Sequence, residues 1–394
     1  MGRVLQPVLA GVVLAVVGFA GSFAVVLAGL RAVGADQRQA ASGLLVLCLT
    51  MGALAIGLGL RYRMPLSIAW STPGAALLVS VGSHRADYPT ALGAFAVTGL
   101  LLLLTGLSSR LARLLHAIPA PIAAAMLAGV LLPLCLAPVQ AVTRFPGPAV
   151  PIVIAWALLY RYARRWAVPG ALLVSIAAIL LTRSRSATAA HLWPALTFQT
   201  PGFSAGALIG IAVPLFIVTM ASQNIAGMST LATYGYRPAL RPILTSTGLA
   251  TMAGAPFGGH AVNLAAITAA LAAGPDADPD PDRRWIASVT AGAVYLALGL
   301  STGLAVSLVA SSPPLLIETV AGLALLGTLG TAIQSAVTDP TQRDPAVLTF
   351  VVTASGIAPL GIGAPFWGLL AGLAFRLLAT GPGRKEAARE DRNR

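Results

Sequence analysis

Charged residues are scarce in this chain. They make up 9% of its 394 residues, whereas 57% are hydrophobic, and an ordinary soluble protein carries about 25% charged residues. This composition indicates an integral membrane protein, surrounded by the lipid bilayer and without room for a sizeable soluble domain. Acids are scarcest, at 12 against 25 Lys and Arg. The basic residues stand between apolar runs, which is typical of membrane topology and does not indicate nucleic-acid binding.

Motifs for covalent or metal chemistry are also missing. The two cysteines, Cys48 and Cys135, lie inside apolar runs and offer neither a disulfide framework nor a CxxC metal site. The chain contains no Walker loop, HExxH or GxSxG motif, so ATP-driven transport and hydrolysis have no support. We therefore expect no catalytic residue, no metal and no cofactor.

Apolar runs predict the membrane segments, since a spanning helix needs about 20 apolar residues. Twelve runs approach this length: residues 7–30, 40–60, 90–107, 117–136, 148–160, 167–182, 203–222, 240–254, 285–305, 313–330, 345–358 and 362–379. Two more segments, 65–82 and 255–273, are apolar but interrupted. About fourteen membrane segments are therefore expected.

The basic residues predict the orientation. If all fourteen segments cross, 19 of the 25 Lys and Arg residues fall on one side and 6 on the other. Because cytoplasmic loops carry the excess of Lys and Arg, both termini are expected to be cytoplasmic, including the tail at 381–394. If either interrupted segment did not cross the membrane, all later loops would change sides and this bias would be lost.

The chain divides into two halves of seven segments, residues 1–183 and 203–380. An odd number of crossings inverts the second half relative to the first. The predicted fold is therefore an all-α polytopic membrane protein of about fourteen segments, arranged as 7+7 inverted repeats with two broken segments.

The two interrupted segments are the best candidates for a transport site. PLSIAWSTPGAALLVSVG and APFGGHAVNLAAITAALAA begin with proline and glycine and become helical only later. We predict extended backbone at 66–71 and 257–261, followed by half-helices from near 72 and 262. A half-helix that begins at membrane depth presents free N–H groups and a positive dipole end, which suit an anion.

Polar residues around these segments are candidate substrate ligands. Ser71, Thr72 and Asn263 are placed to cap the half-helices, and a cap can also face a ligand. Trp70 either stacks on an aromatic substrate or packs between helices.

Gln223 and Asn224 end an apolar run that Pro214 is expected to kink. A polar pair at this depth either lines a cavity or forms hydrogen bonds between helices.

His260 and Glu318 are the candidates for proton coupling. His260 is the titratable group of the broken segments, and imidazole changes charge near neutral pH. It either meets the substrate carboxylate and takes the proton, or braces the irregular strand as a neutral side chain bonded to a backbone carbonyl. Glu318 lies inside a predicted span but near Pro313 and Pro314, where it could instead favour a helix start.

Five blocks together resemble the BenE family of bacterial benzoate/proton symporters. They are PLSIAWSTPGAALL (65–78), SQNIAGMSTL (222–231), APFGGHAVNLAAITAAL (255–271), AGLALLGTLG (321–330) and VTASGIAPLGIGAPFWGLLAG (352–372). The resemblance implies a bacterial inner-membrane location and kinship with nucleobase/cation symporters and sulfate/anion exchangers.

In that kinship a core domain moves against a gate domain, with the substrate between the broken segments. The resemblance assigns residues 7–107 and 203–305 to the core, and 117–182 and 313–380 to the gate. The related nucleobase transporters carry acids on the eighth and tenth spans. This chain has Gln223 and His260 in those regions, which suits an anionic substrate.

We therefore expect a secondary active transporter that imports an aromatic carboxylate, foremost benzoate, with a proton. One rival is a channel, facilitator or exchanger for small carboxylates. Another is an intramembrane enzyme with His260 as a base, although the chain offers it no convincing nucleophile or metal set. The choice among benzoate analogues, the proton stoichiometry, and a monomeric or homodimeric state stay open.

Overall fold

The structure is a computed structural model that describes residues 2–82, 87–108, 110, 118–182, 193–310 and 313–379. The tail at 381–394 and four arginines of the charge count, Arg85, Arg113, Arg183 and Arg185, lie outside the described residues.

In the described part of the first half there are seven α-helices and one short strand. They are α1 (Gly2–Ala32), α2 (Gln37–Tyr62), β1 (Ile68–Trp70), α3 (Thr72–Gly82), α4 (Tyr88–Leu107), α5 (Ala120–Arg144), α6 (Pro146–Tyr162) and α7 (Ala167–Thr182). A 3₁₀ turn at Arg164–Trp166 precedes α7.

The second half follows the same order, with an additional helix. Its elements are α8 (Ala205–Thr233), α9 (Leu240–Gly254), β2 (Val262–Leu264), α10 (Ile267–Ala273), α11 (Trp285–Leu300), α12 (Thr302–Ala310), α13 (Pro314–Val337), α14 (Arg343–Ala354) and α15 (Ala364–Ala379). The additional helix is α12, directly after α11. Helix α8 has wider π-helical stretches at Leu208–Ala212 and Met220–Ile225.

Seven of the described helices are long and apolar enough to cross a bilayer: α1, α2, α4, α5, α7, α8 and α13. Helices α11 and α12 are an eighth candidate, bent by 54° at Ser301. The span expected at 285–305 is therefore bent, because α11 ends at Leu300 and α12 begins at Thr302. Helices α3 and α15 are apolar but shorter.

Helix packing follows the inverted repeat. Helix α2 packs along α11, and α4 packs along α9. Helix α1 contacts α11, and α8 contacts α4; α6 packs on α7, and α14 packs on α15. Each segment of one half has a counterpart in the other half. Replacing every segment by its counterpart converts the α2–α11 pair into the α4–α9 pair, and it relates the other two sets of pairs in the same way. Two structurally equivalent halves related by a pseudo-two-fold axis produce this pattern.

Two glycine pairs mark equivalent crossings in this arrangement. A Cβ atom on Gly52 of α2 would lie 2.7 Å from the carbonyl oxygen of Gly292 of α11, and the reverse distance is also 2.7 Å. At the α4–α9 crossing, a Cβ on Gly99 would lie 2.8 Å from the Gly248 oxygen, and the reverse distance is 2.7 Å. Glycine lets these backbones approach closely, as small residues do between membrane helices.

The two broken segments meet in a buried antiparallel ribbon. Ile68 pairs with Leu264, and the ladder runs through Ala69 to Trp70 on the β1 side. Two more backbone bonds of 2.8 Å extend it, from Ser71 N to the Ala261 oxygen and from Ala265 N to the Ser67 oxygen. Because the ladder satisfies the polar groups of the non-helical backbone, this conformation is tolerated inside a membrane protein.

The sequence prediction was correct for the first broken segment and wrong in register for the second. Strand β1 leads into α3 at Thr72, as expected. In the second segment a 3₁₀ turn, Ala255–Phe257, ends at Gly258 with φ of 92°, and the helix begins only at Ile267. Pairing with β1 holds residues 262–264 extended, which overrides a helix start at 262.

Candidate functional site

A cavity of about 1100 Å³ lies where both strand–helix junctions meet α8. Thr72 and Pro73 line it from the first junction, Ala265 and Ala266 from the second, and Gln223 from α8. Helices α5 and α13 contribute Ala, Leu and Gly residues together with a few Thr and Ser side chains. A concave, mostly apolar site with a few polar groups is typical of small-molecule binding.

Ser71 caps α3, as its sequence predicted. Its Oγ accepts a hydrogen bond of 3.1 Å from the Gly74 N–H, and its carbonyl accepts one of 2.8 Å from Ala75. Its hydroxyl also shares a 2.8 Å bond with Thr219 of α8. Ser71 is fully buried and is not among the cavity-lining residues, whereas the next residue, Thr72, is. The first turn of α3 therefore brings a positive dipole end to the cavity.

Gln223 and Asn224 occupy the second π-helical stretch of α8 and have different surroundings. Asn224 is fully buried; its Oδ1 accepts a 3.0 Å bond from Leu264 N–H, and its Nδ2 donates to the Thr219 oxygen at 3.4 Å. Gln223 lines the cavity, and its Oε1 accepts a 3.3 Å bond from Ala266 N–H. The Gln223 Nε2 donates no hydrogen bond to any described residue, so this donor is left for a ligand. Such π-bulges are frequent at functional sites.

Trp70 both packs in the core and borders the cavity. It is 2% exposed, its Nε1 donates a 2.7 Å bond to Ser22 Oγ, and its ring lies 5.5 Å from that of Phe19. Its indole is thus fixed by α1, and part of it lines the cavity. This arrangement gives a substrate a rigid aromatic edge.

His260 lies behind the first junction. It is fully buried, and its Nε2 is 3.1 Å from the carbonyl oxygen of Ser71. Its Nδ1 has no hydrogen-bond partner in the part of the chain that the structure describes. His260 is not among the cavity-lining residues, and it lies upstream of β2 rather than directly before a half-helix.

Asn263 is not a helix cap, which corrects the sequence interpretation. It lies in β2 opposite Ala69, because the ladder extends this stretch, and Ala266 precedes α10 without a side-chain cap. Its buried amide has no partner among the described residues. Asn263 does not line the cavity.

Glu318 lies in the early part of α13, close to Pro314. It is partly buried and is not among the residues that line the cavity.

Several residues that line the cavity have no sequence signal of their own. Ser22 and Tyr295 stand singly in apolar runs, and Thr268 lies in the stretch predicted to be plain helix. Arg164 and Arg165, which the charge count treats as topology residues, also line it. No Asp or Glu occurs among its described lining residues, so its charge bias is positive and favours anions.

A helical membrane protein with two broken segments paired across a pseudo-two-fold axis, beside a cavity at their junction, has the fold of a solute transporter. Solved structures have this fold too. The transmembrane domain of a cyanobacterium bicarbonate transporter, BicA, matches with a TM-score of 0.60 and 15% identity, over 96% of this chain and 98% of that one. Murine Solute Carrier 26 family member A9, an anion transporter in the inward-facing state, matches with a TM-score of 0.59 and 12% identity, over 95% and 68%.

The chain belongs to the BenE family, whose model, described as benzoate membrane transport protein, matches residues 4–378. It is 39% identical over 368 residues to Inner membrane protein YdcO of Escherichia coli (strain K12), over 92% of this chain and 93% of that protein. It is 32% identical over 334 residues to the Benzoate membrane transport protein of Acinetobacter baylyi (strain ATCC 33305 / BD413 / ADP1), over 84% of each. The chain is thus a multi-pass membrane transporter, and the family finding excludes the enzyme alternative.

Proposed function

We propose that this protein imports an aromatic carboxylate, foremost benzoate, together with a proton across a bacterial inner membrane. The observation that carries the proposal is the cavity at the paired junctions, which has donors and two arginines but no acid among its described lining residues. A relative named as a benzoate transport protein and another named as an inner membrane protein support the substrate and the location.

In this proposal the carboxylate lies between the two junctions. The Thr72 hydroxyl, the positive end of α3 and the Gln223 amide nitrogen are the groups that would bind it. The ring would lie against the edge of Trp70 and the small side chains of α5 and α13. Ser71, Asn224 and Asn263 would support the site without contacting substrate, because they are fully buried beside it.

Proton co-transport removes an electrostatic obstacle. Moving one negative charge inward against an inside-negative potential costs about 2.3 kcal/mol per 100 mV. A proton that enters with the carboxylate cancels this cost. We propose His260 as the group that takes it, because its Nδ1 has no partner among the described residues and its ring is bonded to the residue that caps α3. Glu318 is the second candidate; it lies on α13 and is not among the residues that line the cavity.

Alternating access would move two groups of helices against each other. The core comprises residues 7–107 and 203–305, and the gate comprises 117–182 and 313–380. Packing supports this division, since α4 runs along α9 within the core and α5 along α13 within the gate. The cavity lies between the two groups, where their relative motion would open and close it.

Uptake by purified protein in proteoliposomes tests the proposal. A pH gradient is imposed with the outside acidic. Labelled benzoate also crosses the lipid without protein, so its level in protein-free vesicles is the baseline. A symporter concentrates benzoate above that baseline. A channel or facilitator brings benzoate only to equilibrium, and an exchanger needs a carboxylate inside. The control is uptake measured after a protonophore has collapsed the pH gradient. Accumulation that survives the protonophore, or equilibration alone, would refute proton symport.

A further inference from the structure

Tyr295 of α11 carries a buried hydroxyl group that the fold does not use. The residue is 2% exposed and lines the cavity. Its hydroxyl forms no hydrogen bond within the described ranges. The hydroxyl oxygen is not completely enclosed by protein atoms. Leaving a buried polar group without a hydrogen bond costs free energy. A ligand in the cavity that bonds to this hydroxyl would remove that cost.

The space beside this hydroxyl is kept open by a glycine. A Cβ atom on Gly18 of α1 would lie 2.6 Å from the Tyr295 oxygen and 3.3 Å from the Thr268 methyl carbon. Gly18 and Thr268 also line the cavity. These three residues, from α1, α10 and α11, define a lobe of the cavity, which we call the Tyr295 lobe.

The neighbouring polar side chains are already engaged. Thr268 Oγ1 shares a 2.8 Å hydrogen bond with Ser67. Ser22 Oγ donates to the Gly18 carbonyl at 2.8 Å and accepts from Trp70 Nε1 at 2.7 Å. Among the described polar side chains of this lobe, the Tyr295 hydroxyl is thus the group without a hydrogen-bond partner.

The Tyr295 lobe lies at a distance from the junction that suits a substituted ring. Trp70 contacts α1 at Ser22, and Gly18 is one helical turn away, about 6 Å along α1. This separation is comparable to the length of a substituted benzoate, from its carboxyl carbon to a para substituent. Thr72, Gln223 and Tyr295 line the same cavity, so in the proposed pose a carboxylate near Thr72 and Gln223 would direct the far side of its ring toward this lobe.

We propose that the Tyr295 hydroxyl binds a hydrogen-bonding substituent on the substrate ring, so that the lobe extends the proposed substrate class from benzoate to meta- and para-hydroxylated benzoates. This inference rests on the proposed function, which supplies the carboxylate site at the junctions. An ortho hydroxyl is bonded to the carboxylate of its own molecule, and we expect that isomer to behave like benzoate.

Binding of benzoate and its three monohydroxy isomers to the full-length purified protein tests this inference. The variants are Tyr295→Phe, which removes only the hydroxyl, and Tyr162→Phe as a control at a 79% exposed tyrosine that does not line the cavity. Tyr295→Phe should weaken binding of the meta or para isomer about tenfold and change benzoate binding by less than about twofold. Tyr162→Phe should change neither.

Two variant results would overturn the inference and leave the proposed function intact. One is an equal loss for all four ligands, which would place the hydroxyl at the carboxylate. The other is no loss for any isomer. A wild-type protein that binds none of the four carboxylates would instead overturn the proposed function and the inference with it. Gly18→Ala, whose Cβ would fill the lobe, should reproduce the selective loss.

Discussion

His260 Nε2 donates a 3.1 Å hydrogen bond to the carbonyl oxygen of Ser71, which joins the second broken segment to the cap of the first half-helix. A carbonyl oxygen only accepts, so Nε2 carries the proton in this arrangement. The unpaired Nδ1 is therefore the atom at which His260 would take up a further proton. The resulting imidazolium would lie behind the residue that caps α3.

Replacing His260 by Gln should separate transport from coupling. The Gln amide can still donate to Ser71, but it does not titrate. We expect exchange of labelled benzoate to continue and accumulation driven by a pH gradient to fall to the equilibrium level. Glu318→Gln is the matched variant, and we expect it to keep accumulation. If His260→Gln still concentrates benzoate, proton coupling does not depend on His260, and Glu318 becomes the next residue to study.

Gln223→Glu should lower the affinity of the site for anions, and the loss should depend on pH. The Glu side chain keeps an oxygen for Ala266 N–H, but its charge faces the substrate carboxylate. Unit charges about 4 Å apart repel by about 4 kcal/mol at an effective dielectric constant of 20. We expect benzoate affinity to fall at least about 100-fold at neutral pH. Affinity should recover as acid pH protonates the introduced carboxyl group.

Equilibrium binding measured across a pH series checks this expectation. Ser229→Glu is the control, since it adds the same charge to an exposed position near the end of α8, outside the cavity. It should leave affinity unchanged at every pH. An equal loss in both variants would mean that net charge, and not contact with Gln223, governs binding.

Gly248→Ala should destabilise the fold by separating two helices. Its Cβ would lie 2.6 Å from Leu103 N and 2.7 Å from the Gly99 oxygen, and backbone atoms cannot move away without shifting α4 from α9. Overpacking of this kind costs about 1–3 kcal/mol, which thermal unfolding in detergent should report as a lower Tm. Gly57→Ala is the control, because nothing lies within 4 Å of its Cβ position. A Tm that Gly248→Ala leaves unchanged would show that this contact is not tight.

The orientation of the chain can be tested with two exposed cysteines. Asp276 and Thr200 are exposed positions in loops that the charge count assigns to opposite sides of the membrane. In intact cells Thr200→Cys should react with an impermeant thiol reagent, whereas Asp276→Cys should react only after the membrane is opened. The native thiols of Cys48 and Cys135 are buried. The reverse labelling pattern would place both termini outside.

Local signals explain why the first junction was predictable. Ser71 and Pro73 stand where a helix cap and a first-turn proline belong, and α3 begins at Thr72. At the second junction Ala266 lacks a capping side chain, and β2 forms by pairing with residues almost 200 positions earlier. Such a pairing leaves no signal in the nearby sequence.

The site residues also divide into those that a local sequence signal identifies and those that only the fold reveals. Composition and polarity at membrane depth identified Trp70, Thr72 and Gln223, which line the cavity. The same criteria also selected Asn263 and His260, which are buried beside it, because sequence polarity does not tell which side of an extended backbone faces a cavity. Tyr295 has no distinguishing pattern in an apolar helix. Its significance depends on Gly18, a neighbour that only the fold provides.

The β1–β2 ribbon has a consequence for how such a protein could arise. Each strand has three residues, and each finds its ladder partners in the opposite half of the chain. A shorter protein with a single repeat would expose an unpaired strand within the bilayer, where water cannot satisfy it. It would need a second copy inserted upside down to complete the ribbon. Joining both copies in one chain makes that dual-topology pairing intramolecular and guarantees equal numbers of the two orientations.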